Sequence, residues 1–304
     1  MIKSVTVTNY LGESLTLEMR RPETSGFYIK KIDGLGPSKA NINVTERATV
    51  DGGQYSSAHV NSRNIVMYLG FVFAHGVENV RHKSYKHFPL KKRVKLVFET
   101  DTRTCETYGY VESNEPDIFS SDESTQISII CPDPYFYSTV EDWGDAFSTV
   151  EPLFEFPFSN ESLSDRIIEF GDVAGDTANF TNVIYNGEVE VGVNILIHAV
   201  GGASNVAIYN ELTREFIKID TSKLKASTGY EILTGDDIAI CTVKGQKSAT
   251  LFRNGKSINI LNCLDKQSSW LQLSSGDNAF IYDAETGLNN LQFRFEFRTA
   301  YEGV

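Results

Sequence analysis

The stretch EVEVGVNILIH, residues 188–198, decides the class of this fold. Val189, Val191, Val193, Ile195 and Ile197 recur at every second position, with Glu188, Glu190, Asn194 and His198 between them. Alternate side chains of an extended chain share one face, whereas a helix repeats near 3.6 residues, so this is a strand with one buried and one wet face. Toward the C-terminus, Leu291, Phe293, Phe295 and Phe297 alternate with Gln292, Arg294, Glu296 and Arg298 in the same way. Ile127, Ile129 and Cys131 do so less cleanly against Gln126, Ser128 and Ile130. Shorter runs rich in β-branched and aromatic residues lie at 5–7, 15–19, 27–32, 94–98, 206–209, 215–219, 238–243 and 249–252. The chain is predicted to be mostly β.

Asn186-Gly187 and Asn254-Gly255 each sit between strand-like runs, and Asn-Gly supplies the positive φ angles of a two-residue turn, so two hairpins are expected there. One short helix is expected over Val77–His87, where Val77, Val80 and Ser84 fall at helical spacing before Phe88-Pro89 stops it. From Pro132 to Pro157 the alternation lapses into four prolines, an acidic cluster and many aromatics, which places a domain junction there. The expected division is residues 1–140 and 141–304. After Phe158, nine or ten short strands separated by Gly, Asn and Asp turns predict an antiparallel β-sandwich.

A length of 304 residues accommodates two domains of about 150 residues, each able to bury a core. With 41% hydrophobic and 22% charged residues, neither disorder nor a fibrous repeat is indicated. No apolar run approaches the roughly 18 residues of a membrane span, and MIKSVTVTNY lacks the apolar core of a secretion signal, so synthesis and retention in a cytoplasm are expected. Cys105, Cys131, Cys241 and Cys263 are far apart and read as free thiols. The net charge of -12 argues against gripping nucleic acid.

Chemistry is sparse. None of His59, His75, His82, His87 and His198 falls in a catalytic or metal motif, and His198 reads as a sheet residue. Gly34-Leu35-Gly36-Pro37 is a plain turn, since Pro37 and the lack of a following helix argue against a phosphate cradle. The acid pairs Glu141/Asp142 and Asp236/Asp237 are the nearest approach to glycosidase carboxylates, but adjacent acids are usually solvated. No metal and no cofactor is implied. Arg81, Lys83, Lys86, Lys91, Lys92, Arg93 and Lys95 form a basic island without an acid among them, a candidate subunit contact or a solvated helix face. Trp270 is either a sandwich-core residue or a sugar-stacking platform.

Several segments together resemble the distal tail protein family of siphophages. In the first half they are IDGLGPSKANINV (32–44), DGGQYSSAHVNSRNIVM (51–67), FPLKKRVKLVFETDTRTCETYGYVES (88–113) and ISIICPDPYFY (127–137). In the second half they are YNGEVEVGVNILIHAVG (185–201), KSATLFRNGKSINIL (247–261), SSWLQLSSGDNAFIYDAETG (268–287) and the final YEGV. The resemblance runs nearly the whole chain in the right order. It implies an N-terminal tail-tube-like β domain that forms a homo-hexameric ring and a C-terminal galectin-like β-sandwich. DNA would pass only through the lumen.

Implied partners are the tail tube protein and a tail-associated fibre or lysin protein, with a receptor-binding protein as a further candidate. The implied location is the virion tail tip, after assembly in the host cytoplasm. Gly34, Gly36, Gly52 and Gly53 would then hold unusual backbone angles in the ring domain, and the basic segment would meet an acidic neighbour. A structural, non-enzymatic hub is the leading reading. The alternative is a carbohydrate- or receptor-binding tail protein that uses the C-terminal sandwich, with Trp270 as its first candidate contact.

Overall fold

The computed structural model describes residues 1–46, 51–120, 122–143, 150–151, 172–173 and 180–304, and the expected junction segment falls partly outside them. The chain divides into two compact units, Met1–Val140 with Ala300–Val304, and Glu141–Thr299. It is mostly β, as the alternation predicts.

The first unit contains β1 (Ile2–Thr8), β2 (Ser14–Glu18), the single-turn helix α1 (Pro22–Ser25), β3 (Phe27–Asp33), β4 (Ala40–Glu46), β5 (Gly53–Val60) and β6 (Arg63–Phe71). It continues with α2 (Val77–His87), β7 (Arg93–Thr100), β8 (Thr104–Asp117), β9 (Ser124–Cys131) and β10 (Phe136–Ser138). One antiparallel sheet runs β2-β1-β7-β8-β9-β6-β3. Its inward rows alternate along each strand: Val5 and Val7, Ile65, Met67 and Leu69, Leu96 and Phe98, and Ile127 and Ile129 are all fully buried. Removing such side chains from water is the main stabilising term, roughly 1.5–3 kcal/mol for each. Helix α2 spans the expected residues and buries Val80, Ser84 and His87, spaced four and three apart on one face.

Strands of the second unit are β11 (Asp142–Trp143), β12 (Val150–Glu151), β13 (Asp172–Val173), β14 (Phe180–Tyr185), β15 (Val191–Gly192), β16 (Asn194–Ala199), β17 (Ala207–Asn210) and β18 (Phe216–Lys218). Helix α3 (Thr221–Thr228) follows, then β19 (Asp237–Cys241), β20 (Ser248–Arg253), β21 (Lys256–Asn259), β22 (Gln272–Leu273), β23 (Gly276–Asp283) and β24 (Leu291–Phe297). A six-stranded sheet, β11-β24-β16-β19-β20-β21, and a four-stranded sheet, β14-β23-β17-β18, account for most of them. Ring pairs join the two sheets: Phe280 of β23 stacks on Phe295 of β24 at 4.7 Å, and Tyr282 on Phe293 at 4.2 Å. This face-to-face arrangement of the two sheets is a sandwich.

Three expectations need correction. Asn254 (φ 51°) and Gly255 (φ 72°) do turn β20 into β21, but Asn186-Gly187 closes no hairpin. The strands on either side of it part company, β14 pairing with β23 and β15 with β22. Gly187 is small for a packing reason, because a Cβ there would collide with the Tyr185 ring, whose hydroxyl donates to the Val189 carbonyl at 2.7 Å. Second, the expected second domain ran to residue 304, yet the last five residues belong to the first unit. There β25 (Ala300–Tyr301) pairs with β10, and the guanidinium of Arg63 donates to the carbonyl of Glu302. Third, of the four turn glycines Gly34 (φ 87°) and Gly52 (φ 90°) are left-handed, whereas Gly36 and Gly53 are not. A Cβ on Gly34 would also run into the Asn64 carbonyl.

The helices α1 and α3 were not expected. α3 is eight residues with little amphipathic character; its signals are its ends, the Asp220 carboxylate accepting from the backbone of Ser222 and Lys223 and Gly229 in the left-handed region. No helix among the described residues is long and apolar enough to cross a membrane.

Candidate assembly surface

Among the described residues, strands β4 and β5 pair only with each other, as a two-stranded sheet apart from the large one. Their register places Ala40 opposite Val60, Ile42 opposite Ala58 and Val44 opposite Tyr55, so one face of the ribbon carries an apolar strip that ends at Glu46. The opposite face carries Asn41 with His59, Asn43 with Ser57, and Thr45 with Gln54, and Asn43 Nδ2 donates to Ser57 Oγ at 2.9 Å. Both faces are exposed: Ile42 is 59%, Val44 53% and Tyr55 64% accessible. An isolated two-stranded ribbon is at best marginally stable, and an amphipathic one gains its stability by covering its apolar face.

The hairpin escaped the sequence reading, although its signals were present. Ile42 and Val44 alternate with Asn41, Asn43 and Thr45, and Asp51-Gly52 lies ahead of β5.

The basic island is spread over α2 and β7, and most of its charges are engaged within the chain. Lys86 Nζ lies 2.6 Å from Glu13 Oε1, and the hydrogen bond from Lys86, with a second from Asn9, holds the Glu13 carboxyl below its ordinary range. Lys83 Nζ donates to the Ser25 carbonyl at 2.8 Å, and Arg81 approaches Glu78 and Glu123 at 3.8 and 4.0 Å. Lys92 lies over the Tyr10 ring and Arg93 over that of Tyr108, at 5.3 and 4.1 Å. Lys95 pairs with the buried Glu106 at 2.6 Å, and that hydrogen bond raises the lysine's pKa. Lys91 sits at φ 62° in the turn before β7.

Trp270 is half-buried rather than a core residue, and Lys247 Nζ stands 5.2 Å from its ring centre. The adjacent acids Asp236 and Asp237 diverge: Asp236 is 1% exposed and gripped by Arg253, while Asp237 faces solvent with His198 Nδ1 at 2.6 Å. Of the other acid pair, Asp142 accepts a hydrogen bond from Thr299, and Glu141 is exposed. Neither pair converges on a common point as glycosidic cleavage requires. Among the described residues no group of three or more His, Cys, Asp and Glu side chains is placed to hold a metal ion.

No protein-family profile matches the chain, and no curated protein sequence does. Solved structures do. The crystal structure of the Dit protein of phage SPP1, described as a paradigm of the hub adsorption apparatus in phages that infect Gram-positive bacteria, is 15% identical with a TM-score of 0.65. The match covers 97% of this chain and 99% of that one. Chains of the phage p2 baseplate in its activated conformation align at TM-scores of 0.49, with calcium, and 0.45, with strontium, at 10% and 9% identity and near-complete coverage of both chains. Across its described residues, this chain has a fold similar to that of the SPP1 Dit protein.

Proposed function

We propose that this chain is a structural subunit of a phage tail tip, six copies of which close into a ring with the β4–β5 ribbon of each laid on the next copy. The observation that carries the reading is the ribbon's exposed apolar face, on a fold shared throughout with a phage hub protein. Covering the exposed parts of Ile42, Val44 and Tyr55 is worth roughly 1 kcal/mol each, and a repeated head-to-tail contact of this kind generates a closed ring when its rotation closes.

The ribbon is the part of the surface where a second copy meets least repulsion. Chains of net charge -12 repel one another, and the ribbon offers an approach of low charge, its two strands carrying one acid, Glu46, and no Lys or Arg. In this reading Arg81, Lys83, Lys86, Lys91, Lys92 and Arg93 are secondary ring contacts, because most of their charge is already engaged inside the chain. The ring joins the tail tube protein to a tail-associated fibre or lysin protein and to a receptor-binding protein. Its acidic subunits let DNA pass through the lumen without holding it, and it performs no catalysis. It assembles in the host cytoplasm and resides at the virion's tail tip.

The test is the mass of the purified protein in solution, with negative-stain images of the same sample. Six chains of 33.9 kDa make a particle of about 203 kDa, and a six-fold ring with a central hole is expected. A monomer at every concentration, with and without the tail tube protein, overturns the reading.

A further inference from the structure

His87 is the last residue of α2 and is 7% exposed, buried with Val80 and Ser84 on the inward face of the helix. Ser84 is satisfied, its hydroxyl donating to the Arg81 carbonyl at 2.7 Å. His87 is not: among the described residues its Nδ1 has no hydrogen-bond partner, and it is shut off from solvent. Folded chains keep few buried polar atoms unpaired, because each one gives up its hydration without a replacement. No assembly contact proposed above uses this histidine.

The charged groups that act on His87 are Lys83 and Lys86 of α2 and Glu13 of the β1–β2 turn. Glu13 is the one acid among them, and both its oxygens are occupied, Oε1 by Lys86 Nζ at 2.6 Å and Oε2 by Asn9 Nδ2 at 3.1 Å. An imidazolium here would carry an N–H without an acceptor, beside two ammonium groups and away from water. A helix C-terminus favours a cation, but burial and the two lysines prevail and hold the His87 pKa below the ordinary 6.5.

The other fastenings of α2 are donors that mild acid leaves unchanged. Lys83 Nζ donates to the Ser25 carbonyl at 2.8 Å, Asn9 Nδ2 to the Lys86 carbonyl at 3.2 Å, and Asn114 Nδ2 to Ser84 Oγ at 3.4 Å. Beneath the helix, Val80 and Phe88 join the first unit's core, 3% and 1% exposed. The seated helix requires the neutral ring, whereas a released helix lets His87 take up a proton near pH 6.5. Release therefore binds a proton. Seating is at full strength above pH 6.5, and its equilibrium weakens by up to about tenfold per pH unit below 6.5, until the pKa of the seated ring is reached.

We infer that His87 makes α2 an acid-released latch, seated on the first unit while the imidazole is neutral and unseated when it takes a proton, uncovering Val80 and Phe88. The latch is independent of ring formation, since all of these contacts lie within the first unit.

Amide hydrogen exchange on the full chain, from about pH 7.5 to about pH 4.5 and corrected for the intrinsic effect of pH, tests it. Protection of residues 77–88 is expected to fall by more than about tenfold across that range, with β6 and β9 unmoved. His87→Phe, which seats a ring that cannot titrate, should abolish the pH dependence, and His87→Leu repeats the test if that variant misfolds. His82→Ala, on the exposed side of the same helix, should leave it unchanged. Glu13→Gln should also retain it, which separates the imidazole from the carboxylate that Lys86 holds. Protection of α2 that is flat in acid, acid loss undiminished in the folded His87 variants, or a His87 ring in the native chain that titrates at or above 6.5 by NMR overturns the inference.

Discussion

Arg253 closes on Asp236 with two arms of its guanidinium, Nε donating to Oδ1 at 2.8 Å and Nη2 to Oδ2 at 2.5 Å. Nη2 also donates to the Glu231 carbonyl at 2.6 Å, and the Leu233 amide donates to Asp236 Oδ2 at 2.8 Å. The pair pins residues 231–236 to the end of β20, and the hydrogen bond to Asp236 raises the arginine's pKa. Both side chains are buried, 10% and 2% exposed, so deleting one strands the other charge away from water, at a cost of about 3–5 kcal/mol. Asp236→Ala is expected to destabilise the second unit by about 3 kcal/mol in urea unfolding, whereas Asp237→Ala should change it by less than about 0.5 kcal/mol. Equal effects of the two would show that Asp236 is not the structural anchor.

The ribbon separates assembly from folding. Ile42 and Val44 touch water on an element that pairs with no strand of the large sheet, so charging them leaves the first unit's core intact. Ile42→Asp with Val44→Asp is expected to convert the ring to a 33.9 kDa monomer in light scattering, with the thermal midpoint of the monomer unmoved. The same pair of changes on the polar face, Asn41→Asp with Asn43→Asp, should preserve the ring. Should the polar-face variant dissociate and the apolar-face variant assemble, the ribbon's orientation is the reverse of that proposed.

What was legible in the sequence follows from how local the physics is. Leu291 to Phe297 buries every second side chain, and Asn254-Gly255 carries two positive φ angles, because pleat and turn depend on neighbours in the chain. Asn186-Gly187 misled because β14 and β15 belong to different sheets, a choice made by β22 and β23 far along the chain. Asp236 and Asp237 are adjacent in sequence, but one faces inward to Arg253 and the other outward to His198. The ribbon's alternation was readable, but a partnerless strand pair has the same pattern as a buried one.

Arg63 illustrates the limit most sharply, and yields a prediction. Its guanidinium donates to four backbone carbonyls, those of Pro134 and Gly34 at 2.6 Å and of Gly36 and Glu302 at 2.5 Å, and lies 4.4 Å over the Phe136 ring. Carbonyls have no residue signature, so nothing in the sequence marks the site. Burial lowers the pKa of this arginine, and the four acceptors are what keep the cation there. Arg63→Lys retains the charge but cannot reach four acceptors, and is expected to cost about 2–3 kcal/mol and to expose residues 300–304 to amide exchange. Unaltered exchange at those residues would refute the strapping role.

The two thiols of the first unit give that unit an alkaline limit. Cys105 and Cys131 are both fully buried, and burial pushes each pKa from 9.0 up to about 11. The folded chain therefore holds these protons where the unfolded chain releases them. Unfolding then releases protons between pH 9 and 11, and stability falls as pH rises through that window, while below pH 9 the thiols contribute no slope. Thiolates are also the reactive form, so native protein at pH 8 should leave Cys105 and Cys131 unlabelled by iodoacetamide over hours and label both within minutes in denaturant. Replacing both with Ala should flatten the loss of urea stability between pH 9 and 11. If the slope persists in the double variant, other groups set the alkaline limit, and rapid native labelling at pH 8 would show instead that this part of the core opens to solvent.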